Sequence, residues 1–457
     1  MMSTSPRNGL LGRALFFGAL AELLFGYDLG IAGIALLSIS EQWEMSPAVS
    51  GFVVSSLLLG ATIGVAVAGR LADRFGRRPI LMLISAFFIV GGILAAVAPD
   101  VSLLILGRFI MGLGVGGSAS VVTIYLVEIA PTRHRGKIGS LGQVMVVLGI
   151  LLAYIVGYAL QPSDAWRWMI GLSVVPGAIL AVGLVSMPES PRWFVSHGRP
   201  GDARRSLERL SHPDVDGELA ELEAAHHRSP DRQVSLGEVL RRMFSPGLRR
   251  NSIAACILAA LVQFTGANSI IYYAPAALID AGFSEGAAVT ANVSVGVVNV
   301  LFTLLGLFLV DRLPRRALLT VGMCGMTTAM IYLAAVSQLG PEQSAVTGFL
   351  TLGGMLLFLA SFAMSWGILV RVVVSELFPS AIRGTATGLA LLLNWVANFV
   401  VGQTFPSLLA VSATLSFGLF AVIGVCALVF IRRVLPETGA GSTLEEVASD
   451  EPVHARA

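Results

Sequence analysis

Glu128-Ile-Ala-Pro131-Thr-Arg-His-Arg135-Gly136 returns later in the same chain as Glu376-Leu-Phe-Pro379-Ser-Ala-Ile-Arg383-Gly384. Each copy starts at the end of one long apolar run and closes at the start of the next. Two more pairs keep the same order. Asp73-Arg74-x-Gly76-Arg77-Arg78 is matched by Asp311-Arg312-x-Pro314-Arg315-Arg316, and Pro188-Glu189 by Pro436-Glu437. Three motifs in one order in both halves make an internal repeat. Around them the chain reads as twelve apolar runs, near 10–37, 48–69, 79–98, 101–127, 138–160, 167–187, 251–279, 286–310, 316–338, 344–374, 384–405 and 408–431. About 20 apolar residues in a helix cross a bilayer, so each half supplies six spans.

The composition agrees. Of 457 residues, 55% are hydrophobic and 13% charged, with mean hydropathy +0.80. A soluble domain carries about 25% charged residues. The fold class is therefore an all-α membrane protein with twelve transmembrane helices. The expected parts are an N-terminal six-helix bundle over 1–187, a helical linker over 188–250, a C-terminal six-helix bundle over 251–433 and a tail over 434–457.

Loop charges alternate. Arg70, Arg74, Arg77 and Arg78, then Arg133, Arg135 and Lys137, then Arg312, Arg315 and Arg316, then Arg383, Arg432 and Arg433 fall on one side; Glu41, Glu44, Asp100, Asp164, Asp280, Glu285 and Glu342, with Arg167 the one base among them, fall on the other. The positive-inside rule puts the arginine-rich loops, the linker, the tail and both termini in the cytoplasm of a multi-pass cell-membrane protein. The N-terminus lacks a convincing cleavable signal. Cys256, Cys324 and Cys426 are scattered through apolar runs and give neither a disulfide framework nor a metal site. No cofactor and no nucleic acid is expected, and no nucleophile–base pair or phosphate loop suggests an enzyme.

All histidines lie outside the runs, so intramembrane proton chemistry falls to carboxylates. The foremost is Asp28, in Phe25-Gly-Tyr-Asp28-Leu-Gly30. A charge in such a run needs protein or water beside it and a partner. Arg108 in the fourth run suits by depth. At the helical rise both sit about 10–12 Å below the outer ends of their helices. Burial favours the neutral acid and a nearby guanidinium favours the carboxylate. A change in the Asp28–Arg108 separation then changes proton affinity and biases a conformational equilibrium. A structural ion pair is the other reading.

An amide side chain both donates and accepts hydrogen bonds. Gln143, Gln263, Asn268, Asn299, Asn394 and Asn398 lie inside apolar runs, where each could also serve as an interhelical hydrogen bond. Asn292-Val-Ser294 has the glycosylation pattern but falls inside the eighth run.

These motifs, with Gly69-Arg-Leu-Ala-Asp-Arg-Phe-Gly-Arg-Arg78, Pro188-Glu-Ser-Pro-Arg192 and Gln263-Phe-Thr-Gly-Ala-Asn-Ser-Ile-Ile-Tyr-Tyr273, resemble those of the sugar porter family of the major facilitator superfamily. The resemblance covers about 10–437. It implies import of a sugar or polyol by proton symport through alternating access, by a chain functional as a monomer in the lipid bilayer. It implies that Asp28 couples the proton and that Arg108 is its partner. Gln143, Gln263, Asn268, Asn299 and Asn394 match sugar-contacting positions, and Phe25, Phe362 and Trp395 match aromatic ones. Arg74, Glu128, Arg135 and Glu189 in one half, with Arg312, Glu376 and Arg383 in the other, resemble gating salt-bridge networks.

Four positions depart from the pattern. Val262 stands where a second glutamine is usual, Arg371 where tryptophan is usual, Glu22 where a small residue is usual and Pro314 where glycine is expected. Pro314 lacks an N–H and fixes φ, so hydrogen bonding in that turn should differ. Arg371 either pairs with Glu22 as an added inner gate or binds an anionic substrate. Transport of a small organic acid is therefore the alternative function, and a non-transporting nutrient sensor a remoter one.

Overall fold

The computed structural model describes residues 9–129, 135–210, 212, 214–228, 235–310, 312–339, 345–379 and 381–438. Among them there are helices and no strand. Twelve stretches are long and apolar enough to cross a membrane. Long single helices form five of the spans between Gly9 and Leu160: α1 (Gly9–Trp43), α2 (Pro47–Phe75), α3 (Arg77–Ala96), α4 (Val101–Ile129) and α5 (Arg135–Leu160). The sixth span is two helices, α6 (Trp166–Gly171) and α7 (Val174–Ser186). Four short helices follow: α8 (Pro191–Ser196), α9 (Pro200–Arg209), α10 (Val215–Arg228) and α11 (Leu236–Met243).

In the second half, α12 (Arg249–Phe264) and α13 (Ala267–Asp280) share one span, as do α16 (Ala345–Ala363) and α17 (Trp366–Glu376). The others are α14 (Glu285–Val310), α15 (Arg315–Val336), α18 (Arg383–Val411) and α19 (Ala413–Arg433). The sixth, seventh and tenth runs, read as continuous, are thus each broken. The cause in the seventh is local. Gly266 sits at φ +88, where side chains are disfavoured, and the Phe420 ring fills the place of its Cβ.

By contact the chain divides into two compact units. The first comprises Met1–Ile31, Leu59–Ala153 and Ala165–Gln233; the second comprises Ala32–Leu58, Tyr154–Asp164 and Val234–Ala457. The last turns of α1, the first turns of α2 and the end of α5 therefore group with the C-terminal helices.

Helices in lipid gain no hydrophobic drive toward one another, so close backbone approach through small residues matters. In the first unit a Cβ at Gly26 would overlap the Val146 carbonyl, and one at Gly149 the Leu23 carbonyl. The α1 and α5 backbones touch there. In the second unit a Cβ at Gly33 would overlap the Tyr272 carbonyl, which brings the end of α1 onto α13. The lipid-facing surface is apolar: Val422, Val425 and Val429 form an exposed stripe on α19.

Two prolines stand inside helices of the second unit, Pro275 in α13 and Pro406 in α18. Each removes the N–H that would bond the carbonyl four residues back. Tyrosine hydroxyls supply the missing donors. Tyr154 donates to Ile271 O (3.0 Å), and Tyr273 donates to Gly402 O (2.8 Å).

Candidate functional site

In the first unit α1 is fixed in rotation by its glycine contacts with α5 and by Tyr27, whose hydroxyl donates to Met169 O (2.6 Å). That rotation leaves Asp28 0% exposed, and neither carboxylate oxygen has a hydrogen-bond partner among the described residues. Arg108 on α4 is 2% exposed, and its charge acts on Asp28 without a direct hydrogen bond between them. Arg108 is carried by a helix locked to α3, where a Cβ at Gly107 would overlap Ala95 and one at Gly91 would overlap Met111. The two charges named from the sequence are thus in one unit and both buried, with no hydrogen bond from Arg108 to Asp28 among the described residues. Phe25 is buried on the same helix as Asp28, and Gln143 on α5 is half-buried. Glu22, also buried, lies against Gly142, next to Gln143.

In the second unit three amides form a chain at the α12–α13 break. Asn268 Nδ2 donates to Gln263 Oε1 (2.8 Å), Gln263 Nε2 to Asn394 Oδ1 (3.2 Å), and Asn394 Nδ2 to Ala259 O (2.8 Å). The break makes this possible: α12 ends at Phe264, and Gly266 turns the chain so that Asn268 on α13 faces back to Gln263. Irregular backbone within a membrane is tolerated where protein or a water-filled cavity surrounds it. Trp395, beside Asn394, is buried, Phe362 half-buried, and Asn299 on α14 buried without a hydrogen bond among the described residues. Arg371 is exposed on α17, and the Phe362 ring lies over Gly367 one turn before it.

At the arginine-rich turns the ion pairs differ from the expected set. Glu128 takes a two-pronged contact from Arg77, Nε to Oε2 (2.9 Å) and Nη2 to Oε1 (3.1 Å). Arg74 instead lies over the Phe75 ring. Glu189 accepts from the backbone N–H groups of Arg77 (2.9 Å) and Arg78 (3.1 Å), capping the first turn of α3. A carboxylate belongs at that positive helix end. Gly76 makes room for it: φ is +102, and Glu189 occupies the space of a Cβ. Burial still raises the Glu189 pKa above its ordinary value, against the bonds from Ser190, Arg77 and Arg78.

The second copy repeats this plan loosely. Arg315 approaches Glu376 at 3.8 Å, leaving Arg315 Nε and Glu376 Oε2 without hydrogen bonds among the described residues. Among the described residues Glu437 accepts from Arg316 N, at 3.3 Å. Pro314 stands where Gly76 would, so the turn follows φ −55 and the cap is longer. Arg312 lies over Phe308 (3.7 Å), and Arg383 Nε donates to Phe378 O (3.1 Å). Pro131 and the side chain of Arg135 lie outside the described residues. Sequence reasoning missed Arg77 and Arg315 as the partners of Glu128 and Glu376. Their repeated spacing was the available signal.

The family described as "Sugar (and other) transporter" matches residues 14–450. The chain belongs to that family. It is a family of transporters, not enzymes, and the twelve apolar helices make this a multi-pass membrane protein. The glucose transporter GlcP of Staphylococcus epidermidis is 41% identical over 434 residues, covering 94% of this chain and 95% of its own. The arabinose-proton symporter of Bacillus subtilis is 33% identical, covering 94% and 92%. Among solved structures, the xylose transporter XylE from E. coli, in a partially occluded inward open conformation, superposes with a TM-score of 0.81 at 29% identity, over 95% of this chain and 100% of that one.

Proposed function

We propose that this protein is a secondary active transporter that imports a sugar by proton symport through alternating access. The observation that carries the proton step is Asp28. It is wholly buried, lacks a hydrogen bond at either oxygen among the described residues, and lies in the field of the buried Arg108. Two protonation states of such a group differ greatly in how well they are solvated. The group can therefore favour one conformation when protonated and another when ionised. The names of relatives that carry glucose, and arabinose with a proton, support a sugar over an organic acid.

In this reading the amides Gln263, Asn268 and Asn394, with Asn299 and Gln143, exchange hydrogen bonds with sugar hydroxyls, and Phe25, Phe362 and Trp395 cover apolar C–H faces. Arg371 is the departure that tunes which sugar fits. Glu128, Glu189, Arg135 and Arg74, with Glu376, Arg383 and Arg312, belong to turns that alternately tighten and loosen, joined by Arg77 and Arg315. The repeats over 1–187 and 251–433 are the moving bodies, the linker 188–250 lies in the cytoplasm with both termini, and one copy of the chain suffices.

Asp28→Asn tests the proposal. Reconstituted in liposomes, the variant should lose accumulation of D-glucose or D-xylose under an inward proton gradient while still exchanging labelled sugar across the membrane. Accumulation at the unsubstituted level would remove Asp28 from the coupling step.

A further inference from the structure

The end of α7 gathers three arginines from separate parts of the first unit. Arg13, at the start of α1, donates from Nη2 to Ser186 Oγ (3.2 Å). Arg209, at the end of α9, donates from Nη2 to Ser186 O (3.0 Å). Arg78, in the first turn of α3, donates from Nε to Leu184 O (2.9 Å) and from Nη2 to Val185 O (2.7 Å). None of the three forms an ion pair with a carboxylate among the described residues. The acids nearest in sequence are engaged elsewhere: Asp73 with Arg77, Glu208 with Arg204, and Glu189 with the backbone N–H groups of Arg77 and Arg78. A helix C-terminus carries about half a unit of negative charge, which one arginine would offset. Three arginines leave an excess of more than one positive charge, even with Glu189 counted as ionised.

A groove of about 450 Å³ leads away from this cluster between α1 and α7. Arg13 and Phe17 form one wall, and Ala178, Ile179, Val182 and Ser186 the other. Phe17 seats deeply because Gly183 has no side chain; a Cβ there would overlap the ring. The two helices run in opposite senses, so the wall from Ser186 back to Ala178 leads away from the arginines for about 12 Å at the helical rise. Beyond Arg13 and Ser186 the walls are apolar, and Ile179 and Val182 are exposed, as lipid-facing side chains are. The volume falls within the range of about 300–1,000 Å³ typical of ligand sites. A lipid tail gains little by entering, since the bilayer is as apolar as the groove. Selectivity must then come from the headgroup. Guanidinium groups match phosphate oxygens two at a time. Arg13 and Arg209 each spend one hydrogen bond on Ser186 out of five N–H donors, so donors remain for a ligand.

We infer that the end of α7 is a binding site for one anionic phospholipid, with its phosphate held by Arg13 and Arg209 and one acyl chain lying in the groove between α1 and α7. Basic pockets between membrane helices recruit anionic headgroups in this way. Arg78, with two bonds to α7 carbonyls, adds positive field and no contact. The bound lipid joins the start of α1, the end of α7 and the end of α9. The rival account is that the arginines only cap α7, and it predicts no preference for headgroup charge. Free phosphate shares the headgroup chemistry but has no use for the groove. The site is independent of what the protein carries across the membrane.

Delipidated full-length protein in a neutral detergent is titrated with dioleoylphosphatidylglycerol or dioleoylphosphatidylcholine, and bound lipids are counted by native mass spectrometry. One phosphatidylglycerol should bind more tightly than any phosphatidylcholine, and a large excess of inorganic phosphate should not displace it. Each arginine near an anionic headgroup contributes about fivefold, so Arg13→Gln with Arg209→Gln should weaken that binding by roughly thirtyfold. Phosphatidylcholine binding should not change. Ala178→Trp keeps every arginine and fills the groove, and it should also weaken phosphatidylglycerol binding. Equal affinity for the two lipids, or unchanged phosphatidylglycerol affinity in the double variant, means the arginines only cap α7 and overturns the site. Unchanged affinity in Ala178→Trp, or displacement by phosphate, means an anion contact without a seated chain and overturns it as well. Equal weakening of both lipids in the variants means lost structure, and it too counts against the site. Should the double variant fail to fold, Arg13→Gln alone, at an exposed position, carries the same test with an expected loss of about fivefold.

Discussion

Gln263 uses both ends of its amide, accepting from Asn268 and donating to Asn394. A sugar hydroxyl that binds there joins an existing chain and inherits its polarity. Gln263→Leu cuts the chain in the middle and leaves Asn268 and Asn394 to find other partners. The loss of one uncharged hydrogen bond, about 0.5–1.5 kcal/mol, should weaken sugar binding by about two- to tenfold, read as Kd by equilibrium binding in detergent. An unchanged Kd would take Gln263 out of the sugar site. At this scale the sequence was a partial guide. Amides in apolar runs stand out because lipid gives them nothing to bond, so Gln263, Asn268 and Asn394 were visible. Their mutual bonding was not, because it depends on the turn at Gly266.

Between elements, the proline–tyrosine pairs make a sharp test of how these helices are held. Gly402 O is buried and lost its N–H partner to Pro406; Tyr273 replaces it. Tyr273→Phe should cost about 1–3 kcal/mol, the penalty for a buried acceptor left unbonded. In a Pro406→Ala background the helix regains its own N–H, and the same change should cost clearly less. Equal costs in both backgrounds, measured by thermal unfolding, would show that Tyr273 acts through its ring contacts with Phe405 instead. The cap of Glu189 on α3 gives a second test, in pH. Its folded pKa is raised, so the folded state holds the proton more tightly than the unfolded chain. Its contribution is then favourable below the ordinary glutamate range and is lost as pH rises through the folded value. Melting temperature should fall across that window more steeply in the unsubstituted protein than in Glu189→Gln, and identical slopes would refute it. The twelve spans could be read from hydropathy because each is a continuous apolar run. The breaks at 172–173, 265–266 and 364–365 could not, because a broken span keeps the composition of a whole one. The recurring motifs group Glu128 with Arg74 and Arg135 but do not single out Arg77 as its partner. Gly76 ends α2, and the new helix begins with Arg77 aimed at Glu128.

For the whole molecule, the proposed coupling fixes the sign and size of an electrical effect. A neutral sugar moving with one proton carries one positive charge inward. An inside-negative potential of about 100 mV contributes about 2.3 kcal/mol per charge. At about 1.36 kcal/mol per tenfold, that potential alone can support an accumulation of roughly 50-fold, with no pH difference imposed. The expected observation is uptake of D-glucose or D-xylose into proteoliposomes beyond equilibration when a potassium diffusion potential is set, and its collapse when a proton carrier is added with potassium equal on both sides. Reversing the potential should drive sugar out. Asp28→Asn should reach only equal concentrations inside and outside under every gradient, because no charge then accompanies the sugar. If the unsubstituted protein behaves that way as well, the buried carboxylate is a structural charge and the chain is a facilitator. If a pH gradient drives uptake but a potential does not, the imported species is not neutral, and Arg371, an exposed residue, becomes the group to substitute next.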